Sequence, residues 1–209
     1  MRKGYFITLE GPDGAGKTTQ LQRLLTFAQQ YGFETVNTRE PGGTPVGDAV
    51  RGILLDPQYG EMIPLTEALL YAASRAQLVH EVIGPALDAG KVVICDRFID
   101  SSLAYQAYGG ELDFDFVLRT NVAAINGYMP DQTFILDLNP KEGLARRDAS
   151  LADRMEQKSL AFHQRVREGF LALATRFPER IIVIAANRPV EDVFASIWEN
   201  VGPALTALR

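Results

Sequence analysis

The chain has 209 residues, of which 46% are hydrophobic and 22% charged, a composition typical of a globular domain and not of a disordered or fibrous chain. Its net charge of −5 argues against non-specific binding to nucleic acid, which needs an excess of lysine and arginine. The apolar runs are far too short to span a membrane and the N-terminus does not read as a signal peptide, so we expect a cytoplasmic protein without a membrane partner.

A phosphate-binding loop follows the first predicted strand, residues 5–9. Residues 11–18 read Gly-Pro-Asp-Gly-Ala-Gly-Lys-Thr and lead into a helical pattern. The glycines let backbone N–H groups turn toward an anion, and the N-terminus of the next helix adds a positive dipole. We expect Lys17 to reach the β- and γ-phosphates of a nucleoside triphosphate and the Thr18 hydroxyl to ligate Mg²⁺. The predicted ATP-binding residues are Gly11, Pro12, Asp13, Gly14, Ala15, Gly16, Lys17, Thr18 and Thr19.

Strand and helix patterns alternate along the rest of the chain. Further strands are predicted at residues 33–38, 91–96, 133–138 and 181–185. Helices are predicted at residues 46–55, 66–87, 102–108, 114–126, 140–147 and 154–177, with a last one beginning near Pro189. This alternation predicts an α/β fold: a doubly wound, five-stranded parallel sheet flanked by helices, in one domain over residues 1–209. Ligands of such folds bind at the carboxyl ends of the strands.

Arginines follow three of the predicted strands. Arg39 follows the second strand and Arg97 the third, and three more come after the fourth: Arg146, Arg147 and Arg154. The carboxyl ends of parallel strands share one edge of the sheet, so these side chains should lie opposite the phosphate loop. The planar guanidinium suits phosphate oxygens. The pattern therefore predicts a site that holds a second phosphate beside the first.

Four segments together form a recognisable pattern: EGPDGAGKTT (10–19), REPGG (39–43), ASR (73–75) and DRFIDSSLAYQ (96–106). This pattern is similar to that of the bacterial thymidylate kinase family. The resemblance continues to residues 187–189 and so covers nearly the whole chain. It implies transfer of the γ-phosphoryl group of ATP to dTMP, giving dTDP and ADP with Mg²⁺. It also implies a homodimer formed by helices that include part of the segment 66–87.

The resemblance implies roles at the acceptor site. Asp13 would bind the sugar 3′-hydroxyl, Tyr71 would stack on thymine, Arg75 would donate to thymine O4, and Tyr105 would pack against C2′ of the sugar. Arg97 would bind the acceptor phosphate and approach the transferring group. The implied dTMP-binding residues are Asp13, Arg39, Arg51, Tyr71, Arg75, Arg97, Ser102, Tyr105 and Gln106.

A short mobile lid is predicted at about residues 144–154. The variable loop positions 12–15 carry no basic residue, and the resemblance then implies that lid arginines supply charge to the transferring phosphate. We expect Arg146 or Arg147 in that role and Arg154 as its support. Asp96 would order Mg²⁺ through water, together with Thr18. The predicted catalytic residues are Lys17, Arg97, Arg146, Arg147 and Arg154.

Other functions share part of this pattern. Another nucleoside monophosphate or deoxynucleoside kinase would have the same phosphate features and differ only in the base pocket. A nucleotide-dependent switch is disfavoured because the sequence lacks the Asn-Lys-x-Asp guanine-reading signature and two acceptor-side arginines follow separate strands. A nucleotide binder without turnover is the third alternative, which an activity measurement would separate from the kinases.

Overall fold

The computed structural model describes residues 4–146 and 152–208. Its strands are β1 (Tyr5–Glu10), β2 (Thr35–Arg39), β3 (Val92–Asp96), β4 (Gln132–Asp137) and β5 (Ile181–Ala185). Its α-helices are α1 (Lys17–Gln30), α2 (Pro45–Leu55), α3 (Pro64–Leu78), α4 (Gly84–Asp88), α5 (Ile99–Ser102), α6 (Phe114–Ile125), α7 (Pro140–Ala145), α8 (Leu160–Arg176) and α9 (Val190–Thr206). Across these described residues, no helix has the length and apolarity that a membrane span requires.

The strands form one parallel sheet in the order β2-β3-β1-β4-β5. The predicted fold class is thus confirmed. The register aligns Leu9 with Asp96 and Arg39 with Asp96, so the carboxyl ends of β1, β2 and β3 meet at one edge. The phosphate loop leaves β1 at this edge, between β3 and β4, and the crossover helices cover both faces of the sheet.

The core has two apolar layers, one on each face of the sheet. Alternate residues of β3 serve the two layers: Val93 and Cys95 pack with Phe6 on one side, while Val92 and Ile94 pack on the other. These four apolar residues of β3 are all buried, as the uninterrupted apolar run predicts for a central parallel strand. This rigid centre holds the strand ends, and the side chains that follow them, in place.

Residues 66–87 form a helix that is interrupted once. The helix begins earlier than predicted, at α3 with Pro64 in its first turn, and a wider π-helical turn at Val79–Ile83 separates it from α4. Pro85 lies in the first turn of α4. A proline lacks the N–H that closes a regular turn and its ring clashes with the carbonyl four residues earlier, which the wider turn relieves.

The helix predicted at residues 154–177 begins later, at Leu160. The Ser159 hydroxyl caps α8 by accepting from the N–H of Phe162. Before it, the Asp153 carboxylate accepts hydrogen bonds from the N–H groups of Met155 and Glu156 and so closes a separate turn. Competing caps of this kind favour a turn over a continuous helix. The consequence is that Arg154 points into the body of the protein and not along a helix.

Candidate active site

A cleft of about 560 Å³ opens at the carboxyl edge of the sheet. Most of the predicted site residues line it: Asp13, Gly14, Gly16, Lys17, Thr18, Thr19, Arg39, Arg51, Tyr71, Asp96, Arg97, Ser102, Tyr105, Gln106 and Arg146. Other predicted residues, Gly11, Pro12, Ala15, Arg75 and Arg154, are buried behind the surface of the cleft. Residues predicted from separate motifs are therefore brought together in one cavity.

The phosphate loop depends on glycines at its tight points. Gly11 and Gly14 have φ values of +127° and +76°, and a Cβ on Gly14 would lie 2.3 Å from the carbonyl oxygen of Gly143. Lys17 is folded back over the loop, where its Nζ donates to the carbonyl oxygens of Gly11 at 3.2 Å and Pro12 at 2.9 Å. Burial, and then the charge of Arg97, lower the pKa of Lys17 to about 8. Phosphate oxygens in the loop would favour its charged form.

Arg97 crosses from the end of β3 to the phosphate loop. Its Nη2 donates to Asp13 Oδ1 at 2.7 Å, and its Nη1 donates to the Gly11 carbonyl at 2.9 Å and to Ser101 Oγ at 3.1 Å. Its backbone is left-handed, with φ 69°, a conformation that costs free energy for a residue with a side chain. The guanidinium also lies 5.1 Å from the ring centroid of Tyr105. Arg97 is thus held over the loop on several sides.

Glu10 is a site residue that the sequence did not assign to catalysis. It is completely buried at the end of β1, where Oε1 accepts the N–H of Phe98 at 2.7 Å and Oε2 accepts the Ser101 hydroxyl. Because Phe98 follows Arg97 and Ser101 accepts from it, Glu10 fixes both the backbone and the guanidinium of Arg97. Burial, then the charge of Asp100, raise the pKa of Glu10 to about 8, although the hydrogen bond from Ser101 opposes this.

Arg75 lies directly behind two residues that line the cleft, Glu40 and Ser102. It is 1% exposed, and its Nε and Nη2 both donate to Glu40 Oε2 while Nη1 donates to Ser102 Oγ at 2.9 Å and to Asn121. A guanidinium has five N–H donors, so these four bonds leave one Nη2 hydrogen for a ligand. The predicted donation to a base would use that hydrogen.

Glu40 is a second carboxylate that the sequence did not assign, although it lies inside the motif at residues 39–43. It lines the cleft beside Pro41 and is almost completely buried. Burial raises its pKa to about 7, while the charge and hydrogen bonds of Arg75 act in the opposite direction. Its role is to hold Arg75 in one orientation, since both of its ion-pair contacts come from that guanidinium.

Arg154 lies beneath the cleft and not in it. Its Nη2 is 2.7 Å from Glu67 Oε2, and its Nε donates to the Leu54 carbonyl at 2.7 Å. The guanidinium and the carboxylate are close, but the N–H groups do not point at the carboxylate oxygen. Neither Nη1 nor Nη2 of Arg154 therefore makes a well-directed hydrogen bond with the residues that the structure describes. Glu67 also accepts a hydrogen bond from Gln106. This position suits the predicted support role of Arg154, and a contact of Arg154 with phosphate stays a prediction.

The start of the predicted lid lies over the phosphate loop. Arg146 is exposed at the end of α7, lines the cleft, and donates from Nη1 to the Gly14 carbonyl at 3.1 Å. Arg147 falls outside the described residues. Asp153, at the other end of the predicted lid, and Met155 and Glu156, just beyond it, also line the cleft, although none of them was predicted as a site residue.

Two more arginines lie at the outer side of the cleft. Arg51 donates from Nη1 to the Pro41 carbonyl at 3.0 Å, and Arg39 lies 3.8 Å from Asp48 across an exposed ion pair. Burial, and then the charge of Arg39, lower the pKa of Arg51. Two cations that destabilise one another in this way would both be stabilised by an anion between them.

Thr18 and Asp96 could hold a divalent cation. Thr18 Oγ1 lies 3.4 Å from Asp96 Oδ2, and both side chains line the cleft beside the loop. In residues 4–146 and 152–208 no group of three or more metal-binding side chains is found. A hydroxyl and one carboxylate are nevertheless a donor set that fits Mg²⁺, which usually keeps several waters and takes substrate phosphate oxygens as further ligands.

Comparisons with known proteins agree with this geometry. The family model described as thymidylate kinase matches residues 9–197. A thymidylate kinase of an Exiguobacterium species is 52% identical over 191 residues, covering 91% of this chain and 90% of that protein. The thymidylate kinase of Deinococcus radiodurans is 50% identical and covers 96% of this chain and 98% of its own length. The solved structure of thymidylate kinase from Ehrlichia chaffeensis aligns with a TM-score of 0.76 at 36% identity, covering 94% and 97% of the two chains.

Proposed function

The chain belongs to the thymidylate kinase family, and we propose that its cleft transfers the γ-phosphoryl group of ATP to dTMP, giving dTDP and ADP. One observation carries this proposal: the phosphate loop and the strand-end arginines Arg39 and Arg97 face a single cavity, which also reaches Tyr71 and Gln106. A binder of one nucleotide needs the loop but not the second set of cations. Other monophosphate kinases, and a switch without kinase activity, are not favoured.

The chemistry of the step is mainly positioning and charge neutralisation. In phosphoryl transfer the attacking and leaving oxygens lie in line, and the protein has little covalent work to do. Two phosphate-bearing substrates repel one another, and Lys17 and Arg97 offset that repulsion from neighbouring positions at the phosphate loop, where both donate to the Gly11 carbonyl. The bonds that hold Arg97 to Asp13 and Gly11 exist before substrate binds, so its charge needs little reorganisation during transfer.

Thr18 and Asp96 are the residues that would hold Mg²⁺ when the nucleotide is bound. The ion would supply further neutralisation of charge on the phosphate oxygens. Because the hydroxyl and the carboxylate are on the loop and on β3 respectively, the same pair aligns the loop with the acceptor side. Asp96 would act through water.

The acceptor nucleoside would occupy the inner half of the cleft. Tyr71 would stack on the base, with its hydroxyl protonated because burial, and then the charge of Glu67, raise its pKa. Asp13 would accept from the sugar 3′-hydroxyl, and the buried ring of Tyr105 would leave no room for a hydroxyl at C2′. Arg75, with one unused N–H, and Ser102 would lie at the far edge of the base.

The function is tested by ADP release from Mg·ATP in parallel with dTMP, dUMP, dGMP, AMP, CMP or no acceptor. We expect a clear preference for dTMP. A preference for another monophosphate would keep the kinase chemistry and discard Tyr71, Arg75 and Gln106 as a thymine site. Release that does not depend on the acceptor, or no release, would contradict the kinase proposal.

A homodimer is proposed from an apolar surface on α2, α3 and α6. Its members are exposed in the single chain: Val46, Ala49 and Ile53 on α2, Leu65, Leu69, Ala73 and Ala76 on α3, and Val122 and Ala123 on α6. On α3 they recur three to four residues apart and therefore share one face of the helix. Helix α3 packs against both α2 and α6, so the three groups are neighbours. A contiguous exposed apolar surface of this kind marks a protein interface.

Leu69→Glu should convert the dimer into monomers, because it places a charge in the middle of this surface, where Leu69 is 47% exposed in the single chain. Sedimentation velocity should show twice the 23.0 kDa chain mass for the parent protein and that mass alone for the variant. The matched control is Leu171→Glu, an exposed leucine on α8 outside the surface, which should stay dimeric. A parent protein that sediments only as a monomer would contradict the proposal.

A further inference from the structure

Glu67 links Gln106, at the wall of the cleft, to Arg154, which lies beneath the cleft. One carboxylate oxygen, Oε1, accepts a hydrogen bond from Gln106 Nε2 at 3.0 Å, and the other, Oε2, lies 2.7 Å from Arg154 Nη2. All three side chains are more than nine-tenths buried. Glu67 does not line the cleft, whereas Gln106 does. Gln106 is therefore the residue of the cleft to which Glu67 is hydrogen-bonded.

The carboxylate decides which way the Gln106 amide points. A glutamine amide has an acceptor oxygen and a donor NH₂ group, and turning it over exchanges the two. Glu67, as a carboxylate paired with Arg154, can only accept, so the NH₂ group must face it. Within the described part of the chain, Gln106 Oε1 receives no hydrogen bond, which leaves it as the atom that the amide offers to a ligand.

We propose that Glu67 is a positioning residue that sets the base specificity of the site for 4-oxopyrimidines, by holding Gln106 with its carbonyl oxygen toward the base. This inference rests on the proposed function, in which the acceptor is a pyrimidine nucleotide. Thymine and uracil carry an N3–H donor beside the O4 acceptor. Gln106 Oε1 accepts from N3–H, and the one unused Nη2 hydrogen of Arg75 donates to O4.

A 4-aminopyrimidine reverses both groups. Cytosine has an acceptor at N3 and a donor at the 4-position, so Gln106 Oε1 would face a second acceptor and Arg75 a second donor. A buried polar group without a partner loses its hydration and gains nothing in return. If Gln106 were free to turn, its NH₂ group could donate to cytosine N3, and one of the two mismatched contacts that disfavour cytosine would disappear. Glu67 prevents that turn.

Glu67→Gln tests the inference, because an amide at position 67 can accept or donate and no longer fixes Gln106. The measurement is kcat/KM for dTMP divided by kcat/KM for dCMP. We expect this ratio to fall about 10-fold or more, the effect of one buried hydrogen-bond mismatch. Arg75 is unchanged, so part of the preference for dTMP should persist.

The matched control is the exchanged pair Glu67→Gln/Gln106→Glu. Like Glu67→Gln, it removes the carboxylate that contacts Arg154. The amide at position 67 can now donate to the carboxylate at position 106, so an acceptor oxygen of residue 106 again faces the base. The exchanged pair should regain at least part of the lost dTMP-to-dCMP ratio. A ratio unchanged in Glu67→Gln, or lost equally in the single and the exchanged variants, would overturn the inference.

Gln106→Glu alone gives a second test should Glu67→Gln not fold. It sets two carboxylates at the 3.0 Å separation of the present hydrogen bond, so kcat/KM for dTMP should fall about 10-fold or more. Turnover of dTMP equal to that of the parent protein would overturn the inference. If the parent protein itself does not phosphorylate dTMP, the proposed function fails, and the parent measurement separates that failure from a failure of the role of Glu67.

Discussion

Arg97→Lys is expected to lower kcat about 10²- to 10³-fold, the usual cost of removing a preorganised charge contact from a transition state. The guanidinium of Arg97 uses two nitrogens to hold Asp13, Gly11 and Ser101 at once. A lysine ammonium is a point charge on a flexible stem and cannot reproduce that fork. KM for ATP should change little, since Lys17 and the loop N–H groups remain. Steady-state kinetics with Mg·ATP varied at saturating dTMP measure both quantities.

Arg23→Lys is the matched control for this substitution. Arg23 lies on α1 in an exposed pair with Glu191, and it does not line the cleft. Its kcat should equal that of the parent protein, because exposed ion pairs contribute about 0–1 kcal/mol and this one is far from the substrates. If Arg97→Lys kept the parent kcat, Arg97 would be a binding residue at most and the transfer geometry proposed for it would be wrong.

Much of this site was predictable because position along the chain implies position in the fold. A residue that directly follows a parallel strand must lie at the carboxyl edge, and this rule predicts that Arg39, Asp96 and Arg97 lie beside the phosphate loop. The five strands were predicted for a similar reason, since apolar runs bounded by glycine and proline read as buried strands. The structure confirms these strands, with boundaries that differ from the predicted ones by at most two residues.

The buried carboxylates were not predictable in the same way. Glu10 bonds to Phe98, Glu40 to Arg75, and Glu67 to Gln106, at sequence separations of 88, 35 and 39 residues. A glutamate in a sequence is most often a solvated surface residue. Only the packing of helices onto the sheet buries these three, and only then does each need a partner. Each of them orients a residue that lines the cleft or lies directly behind its wall, and single-residue patterns do not reveal such a role.

Arg154 illustrates the other limit of the pattern. Because Arg154 follows β4, as Arg146 and Arg147 do, the sequence predicts that the three lie together. The turn closed by Asp153 instead directs Arg154 under the cleft to Glu67. The direction of the Arg154 side chain depends on the two caps at Asp153 and Ser159. The helical period of the sequence alone predicts an earlier start for α8. The arginine nearest the phosphate loop among the described lid residues is therefore Arg146.

Arg146→Ala should lower kcat about 10²-fold or more and raise KM for dTMP much less. Loop positions 12–15 carry no basic residue, so the positive charge that these positions would direct at the transferring phosphate must come from another element of the chain. Arg146 already lies within hydrogen-bond distance of Gly14 O, directly above that loop. Closing over bound nucleotide would exchange this carbonyl for phosphate oxygens, a stronger pairing because both partners are charged.

Arg147→Ala is the companion variant, and Lys141→Ala is the control, an exposed cation at the start of the same helix that does not line the cleft. The control should keep the parent kcat. If both arginines approach the transferring group, each single variant loses turnover and the double variant loses less than the product of the two, because they share one site. A kcat equal to the parent in both single variants would exclude the lid as the source of this charge, and Arg97 and Lys17 would then have to supply it alone.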